Sequence, residues 1–221
     1  IFKLRWNMIS KMMSIGLSPF FMNLTACMVV IIITNSLTRY GGDVAVGAYG
    51  IINRFLFFFV MIVIGLMQGM QPIVGYNFGA KLYNRAFKAL KLSIMFATFI
   101  SVIGFLLGEF FPDMITSMFT TDKQLTEIAA SGMRIMMMAV PLLGIQVIST
   151  GFFQSIGYVK TAIFLSLLRQ LILIIPALLV FPLFFGLNGI WMSIPVSDTL
   201  ATIISVTILI YNYRQLKKLA N

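Results

Sequence analysis

The chain has 221 residues, of which 60% are hydrophobic and 10% charged, against about 45–50% and 25% in soluble domains. Such a chain lacks the polar side chains to cover a surface in water, and its net charge of +10 is spread between apolar runs, which argues against both disorder and a nucleic-acid-binding face. One cysteine, Cys27, and no histidine exclude a disulfide scaffold and leave the commonest zinc ligands and general base missing.

The charge-poor runs are membrane spans in waiting, since a helix needs about 20 mostly apolar residues to cross the hydrocarbon. Residues 1–15 mix Lys3, Arg5 and Lys11 with bulky apolar side chains and predict a basic amphipathic lead-in on the inner leaflet rather than a signal peptide. Six spans follow, at about 16–38, 46–72, 88–111, 126–156, 161–183 and 190–213, and a basic tail occupies 214–221. Tyr40-Gly41-Gly42-Asp43 predicts the first turn, Pro72 ends or kinks the second span, and Pro112 closes the third. Thr121-Asp122-Lys123-Gln124 reads as a helix N-terminus. Pro141, Pro176 and Pro182 fall within or at the edges of later spans, where neighbouring helices re-satisfy the freed carbonyls.

Orientation follows from the loop cations, because cytoplasmic loops keep the positive excess. Lys3, Arg5 and Lys11, then Lys81, Arg85, Lys88 and Lys91, then Lys160, and finally Arg214, Lys217 and Lys218 put eleven cations on one side. The other side holds Arg39 and Lys123 with the acidic residues Asp43, Asp113, Asp122, Glu109 and Glu127. This predicts a multi-pass bacterial cell-membrane protein with both termini in the cytoplasm and an even number of spans. The chain opens on Ile1, so further residues are expected upstream.

Four charges interrupt the spans: Arg54, Arg134, Arg169 and Asp198. Each is on the order of 12–14 Å from a span end at about 1.5 Å rise per residue, near mid-depth, where an unpaired charge costs several kcal/mol. Asp198 is within reach of an arginine partner. Two readings stand side by side: structural ion pairs and snorkelling arginines, or a carboxylate whose proton affinity changes between conformational states. No two acids share one span in a pairing register, which makes a membrane enzyme the least favoured class.

Gln68-Gly69-Met70-Gln71-Pro72-Ile73-Val74-Gly75-Tyr76-Asn77-Phe78-Gly79-Ala80, at the end of the second span, resembles the hallmark of the multidrug and toxic compound extrusion (MATE) transporters. Gly16-Leu17-Ser18-Pro19, Tyr40-Gly41-Gly42-Asp43, Phe152-Phe153-Gln154-Ser155-Ile156-Gly157, Arg169 with Pro176, Phe185-Gly186-Leu187-Asn188-Gly189-Ile190-Trp191 and Pro195-Val196-Ser197-Asp198 resemble the same family in the same order. The resemblance implies an all-α membrane fold in which this chain is the C-terminal six-helix lobe of a twelve-helix transporter, with an N-terminal six-helix half as its partner. It further implies export of small lipophilic cationic drugs by alternating access, coupled to a proton or sodium gradient and needing no cofactor or metal. The family's sodium-coupled branch carries acids on the first and fourth helices of this half; neither Met12–Thr38 nor Ile128–Ile156 has one. The coupling acid is therefore expected in the absent half, with Asp198 as the alternative.

Within the spans, large amides must bond across helices or line a wet cavity. Asn35, Gln146 and Gln154 are the first candidates for a drug path, with interhelical hydrogen bonding the competing role. Gln71, Pro72, Gly75, Tyr76, Asn77 and Gly79 are expected to break the helix into a cytoplasmic turn, with Asn77 bonding local backbone, and to serve as a structural hinge. Two other functions fit a six-span bundle: a lipid-linked precursor flippase or polysaccharide exporter of the related superfamily, and a self-contained binding subunit.

Overall fold

The computed structural model describes the backbone of residues 6–218 and, within it, the side chains of Trp6, of 23–213 and of Gln215. The expected lead-in (residues 1–15) and tail (214–221) fall outside the described side chains, apart from Trp6 and Gln215. The described residues form α-helix and one π-helical turn. In chain order these are α1 (Trp6–Gly79), α2 (Tyr83–Phe110), α3 (Pro112–Ser117), α4 (Lys123–Met137), α5 (Val140–Ser155), α6 (Val159–Leu167), the π-helical turn Leu168–Ile174, and α7 (Ile175–Lys218).

Among the described residues three stretches are long and apolar enough to cross a membrane, Asn23–Gly79, Tyr83–Phe110 and Val159–Tyr213, and the bent pair α4–α5 makes a fourth. The first and third stretches have 57 and 55 residues, roughly 80 Å of straight helix against about 30 Å of hydrocarbon. Each doubles back at a glycine. Gly42 has φ 66° and ψ −168°, and Gly186 has φ 55° and ψ −132°, conformations that a side chain would strain. The hairpin at Gly42 brings Val29 and Leu56 to the same cavity wall, and the one at Gly186 brings Arg169 to Asp198. Counting each arm, the chain makes six passes.

Both reversals lie at one end of the bundle, where a Cβ added to Gly41 would sit 2.9 Å from Leu187. At the other end the α1–α2 connection meets the end of α7, with the Phe87 and Tyr213 rings 4.5 Å apart. Two apolar cores result. One surrounds the fully buried Trp191, with Ile52, Met133 and Met137; the other surrounds Phe152 and Phe153.

Several boundaries differ from those the sequence suggests. The first turn is a single glycine rather than a four-residue loop. The second span does not stop near residue 72: α1 stays helical through Pro72 and the glycine motif to Gly79, and the turn comes at Lys81, with φ 60°. Continuous helix keeps backbone groups paired where water is absent, and Asn77 Nδ2 donates to the Ile73 carbonyl, 2.8 Å away. The fourth span is not straight. It bends by 52° between α4 and α5, with Pro141 in the first turn of α5, where it has no N–H to return to the preceding turn. Asp122 caps α4 as expected, accepting from the N–H groups of Gln124 and Leu125.

Candidate functional site: a cavity beside a buried ion pair

The two arms of α1 splay apart around a cavity of about 480 Å³ whose floor is made by α5, the π-helical turn and α7. Val29, Ile33, Leu56 and Val60 form its apolar walls. Val30, Asn53 and Phe57 also line it and are exposed, so it opens between the arms. Its polar groups are few: Tyr49, Asn53, Gln146, Thr150, Gln154, Ser166 and, on the π-helical turn, Arg169 with Gln170.

Gln146 is buried, and its Oε1 has no hydrogen-bond partner; Gln170 Oε1 is likewise buried and unpartnered. A buried unpaired amide oxygen costs about 1–3 kcal/mol, which marks both side chains as cavity-lining amides with unused hydrogen-bonding capacity. Gln154 is exposed at the rim, and its Oε1 accepts from Gln71 Nε2 at 3.1 Å, which ties the glycine motif of α1 to the end of α5. Asn35 is exposed and does not line the cavity.

The intramembrane charges divide into three cases. Arg169 grips Asp198 with two bonds, Nε to Oδ1 at 2.6 Å and Nη2 to Oδ2 at 3.2 Å. Asp198 is buried, whereas the Arg169 side chain keeps 26% of its surface, on the cavity side. Bidentate, desolvated pairing makes the two charges a single neutral unit. Arg134 is not stranded at mid-depth: its Nη2 lies 3.5 Å from Asp113 Oδ2, both side chains are more than half exposed, and Asp113 belongs to α3 between the passes. Arg54 is exposed and makes no ion pair among the described residues.

In the glycine motif Pro72 lies within the helix, Tyr76 is exposed, and Gly79 is the last residue of α1. Gly75 faces the end of α5, and a Cβ there would stand 3.4 Å from the Ser155 carbonyl oxygen, close to an ordinary contact. Sequence reasoning did not single out Tyr49, which stacks on Trp191 at 6.5 Å between ring centroids, or the π-helical turn. Neither has a compositional signature. Turns of that kind are often found at functional sites.

The MatE family model matches residues 19–179. The chain belongs to the MatE family. This MatE chain is 29% identical over 202 residues to the multidrug export protein MepA of Staphylococcus aureus (strain MSSA476), a match covering 91% of the chain and 44% of MepA. An inward-facing multidrug resistance MATE family transporter of the MOP superfamily superposes with a TM-score of 0.89 at 18% identity, over 98% of this chain and 50% of that one. The MATE multidrug transporter DinF-BH gives a TM-score of 0.79 at 39% identity, over 91% and 45%. The MatE chain thus spans about half the length of the relatives it matches, and its bundle is one half of the MATE fold.

Proposed function

We propose that this MatE chain is the C-terminal lobe of a multidrug efflux antiporter, working with a second six-helix bundle by alternating access. The observation that carries the reading is the half-length match to MepA by a bundle enclosing a mostly apolar, drug-sized cavity with a few amide groups. Such a cavity takes lipophilic molecules through its walls and orients them through Gln146 and Gln170. Gln154 is a rim residue in this reading, and Asn35 lies outside the cavity.

Coupling to a proton or sodium gradient is assigned to an acid of the partner bundle. Asp198 is a poor candidate because releasing it would leave Arg169 charged and largely desolvated, at a cost of up to about 3–5 kcal/mol. The cation distribution supports a cell-membrane protein with both termini in the cytoplasm.

The test is ethidium efflux by the full-length protein in cells lacking other pumps, with imposed proton or sodium gradients. Gradient-dependent efflux is expected, weakened by Gln146→Leu at unchanged membrane abundance. Equal efflux with and without either gradient removes the antiporter reading; unchanged efflux and drug profile in Gln146→Leu removes the cavity from the path.

A further inference from the structure

A second concavity has no lining residue in common with the first. It runs between the second arm of α1 and the start of α2 and has a volume of about 810 Å³. One wall is the stripe Ile62, Gly65, Leu66, Gly69 and Ile73; the other is Arg85, Lys88, Ala89 and Leu92. Both follow the i, i+3, i+4, i+7 spacing of a single helix face. A Cβ built on Gly65 or Gly69 would meet nothing within 4 Å, so the glycines leave the groove open rather than serving a close helix contact within this lobe. Ile62, Ile73 and Leu92 are exposed along it.

Charge gives the groove a direction. Because α1 and α2 are joined by the short turn at Lys81, Arg85 and Lys88 stand beside Ile73 at the connection end, and the apolar floor extends about 16 Å of helix away from them, to Ile62. Both cations are exposed. The ion pairs among the described residues are Arg134–Asp113 and Arg169–Asp198, so neither cation is neutralised by a carboxylate. An apolar trough ending in two free cations is complementary to an amphiphile with a negative head and a hydrocarbon tail. Within a bilayer, phospholipids are abundant molecules of that description.

We propose that this groove is a binding site for an anionic phospholipid, its phosphate held between Arg85 and Lys88 and one acyl chain laid over Gly65 and Gly69. The two halves of the site act on different parts of the lipid. The cations select charge; the glycine floor retains the chain.

The experiment is native mass spectrometry of the full-length protein in mild detergent, offered phosphatidylglycerol and phosphatidylcholine of matched chains. Wild type should retain phosphatidylglycerol preferentially, and Arg85→Gln/Lys88→Gln should bring the two lipids close to parity, with roughly fivefold lost per cation removed. Gly65→Leu/Gly69→Leu fills open space at helical positions and should lower retention of both lipids at an unchanged unfolding temperature. Excess inorganic phosphate should leave the bound lipid in place. Equal retention of the two lipids by wild type, an unchanged preference in the Gln variant, full retention in the Leu variant, or displacement by phosphate alone each overturns the proposal. Should either variant fail to fold, photo-crosslinking of wild type with diazirine-tailed phosphatidylglycerol decides: adducts on residues 62–73 and 85–93 support the site. Adducts confined elsewhere, as when the partner bundle covers the groove, refute it.

Discussion

Gln71 and Gln154, 83 residues apart in sequence, share a 3.1 Å side-chain hydrogen bond that fastens the end of α1 to the end of α5. The bond turns two residues of separate motifs into one structural unit, at the rim of the cavity and at the end of the bundle opposite Gly42. It also sets a measurable coupling. Side-chain hydrogen bonds between membrane helices average about 0.6 kcal/mol in double-mutant cycles, and this one is expected near that value. Unfolding of the Gln71→Ala, Gln154→Ala and double variants provides the measurement; strict additivity would mean that the two amides do not cooperate.

The two ion pairs should respond very differently to loss of the acid. Asp198→Asn leaves a guanidinium that is only 26% exposed without its counter-charge and is expected to destabilise the bundle by up to about 3–5 kcal/mol. Arg169→Met/Asp198→Leu should recover much of that loss, because both charges leave together. Asp113→Asn, at an exposed pair 3.5 Å long, is expected to cost no more than about 1 kcal/mol. Detergent-monitored thermal unfolding ranks the three. A small effect of Asp198→Asn, comparable with Asp113→Asn, would contradict the buried pairing.

Gly42 and Gly50 lie eight positions apart, yet substitution by alanine should move stability in opposite directions. At Gly42 the positive φ is a glycine conformation, and Ala is expected to cost about 1–3 kcal/mol. Gly50 is within the helix with nothing near a prospective Cβ, so Ala there should be neutral or stabilising by up to about 1 kcal/mol. The comparison of unfolding midpoints needs only these two variants, and equal losses would argue against a reversal at Gly42.

The orientation can be read by thiol labelling. With Cys27 replaced by Ala, a cysteine at Leu82 should react with a membrane-impermeant maleimide only after the cells are opened, and one at Asp122 should react in intact cells. These positions flank opposite ends of α2 and α3. The reverse pattern would invert the proposed topology, and labelling of both in intact cells would show that the chain between them does not cross.

The number of passes was legible because charge-poor runs and loop cations alternate at a spacing set by bilayer thickness. What closes the bundle was harder to see. Asp198 had three arginines within reach by depth alone, and the choice of Arg169 depends on its azimuth, which the π-helical turn Leu168–Ile174 resets relative to α-helical periodicity. Pro141 marked a discontinuity, but a proline in sequence does not announce whether the helix ends, kinks or passes undisturbed; Pro72 and Pro141 illustrate two of these outcomes. Gln146 and Gln154 were recognisable as groups needing partners. That one is unsatisfied inside the cavity, while the other is bonded at its rim, required the packing of α1 against α5.

The reversals at Gly42 and Gly186 bear on biogenesis. No charge lies between Arg169 and Asp198 around the turn at Gly186, whereas Arg39 and Asp43 flank the one at Gly42. Arms joined by a single residue cannot lie far apart, so each pair is expected to enter the lipid as one wedge. Residues 23–79 and 159–213 would then be the units in which ribosomal synthesis and insertion keep pace.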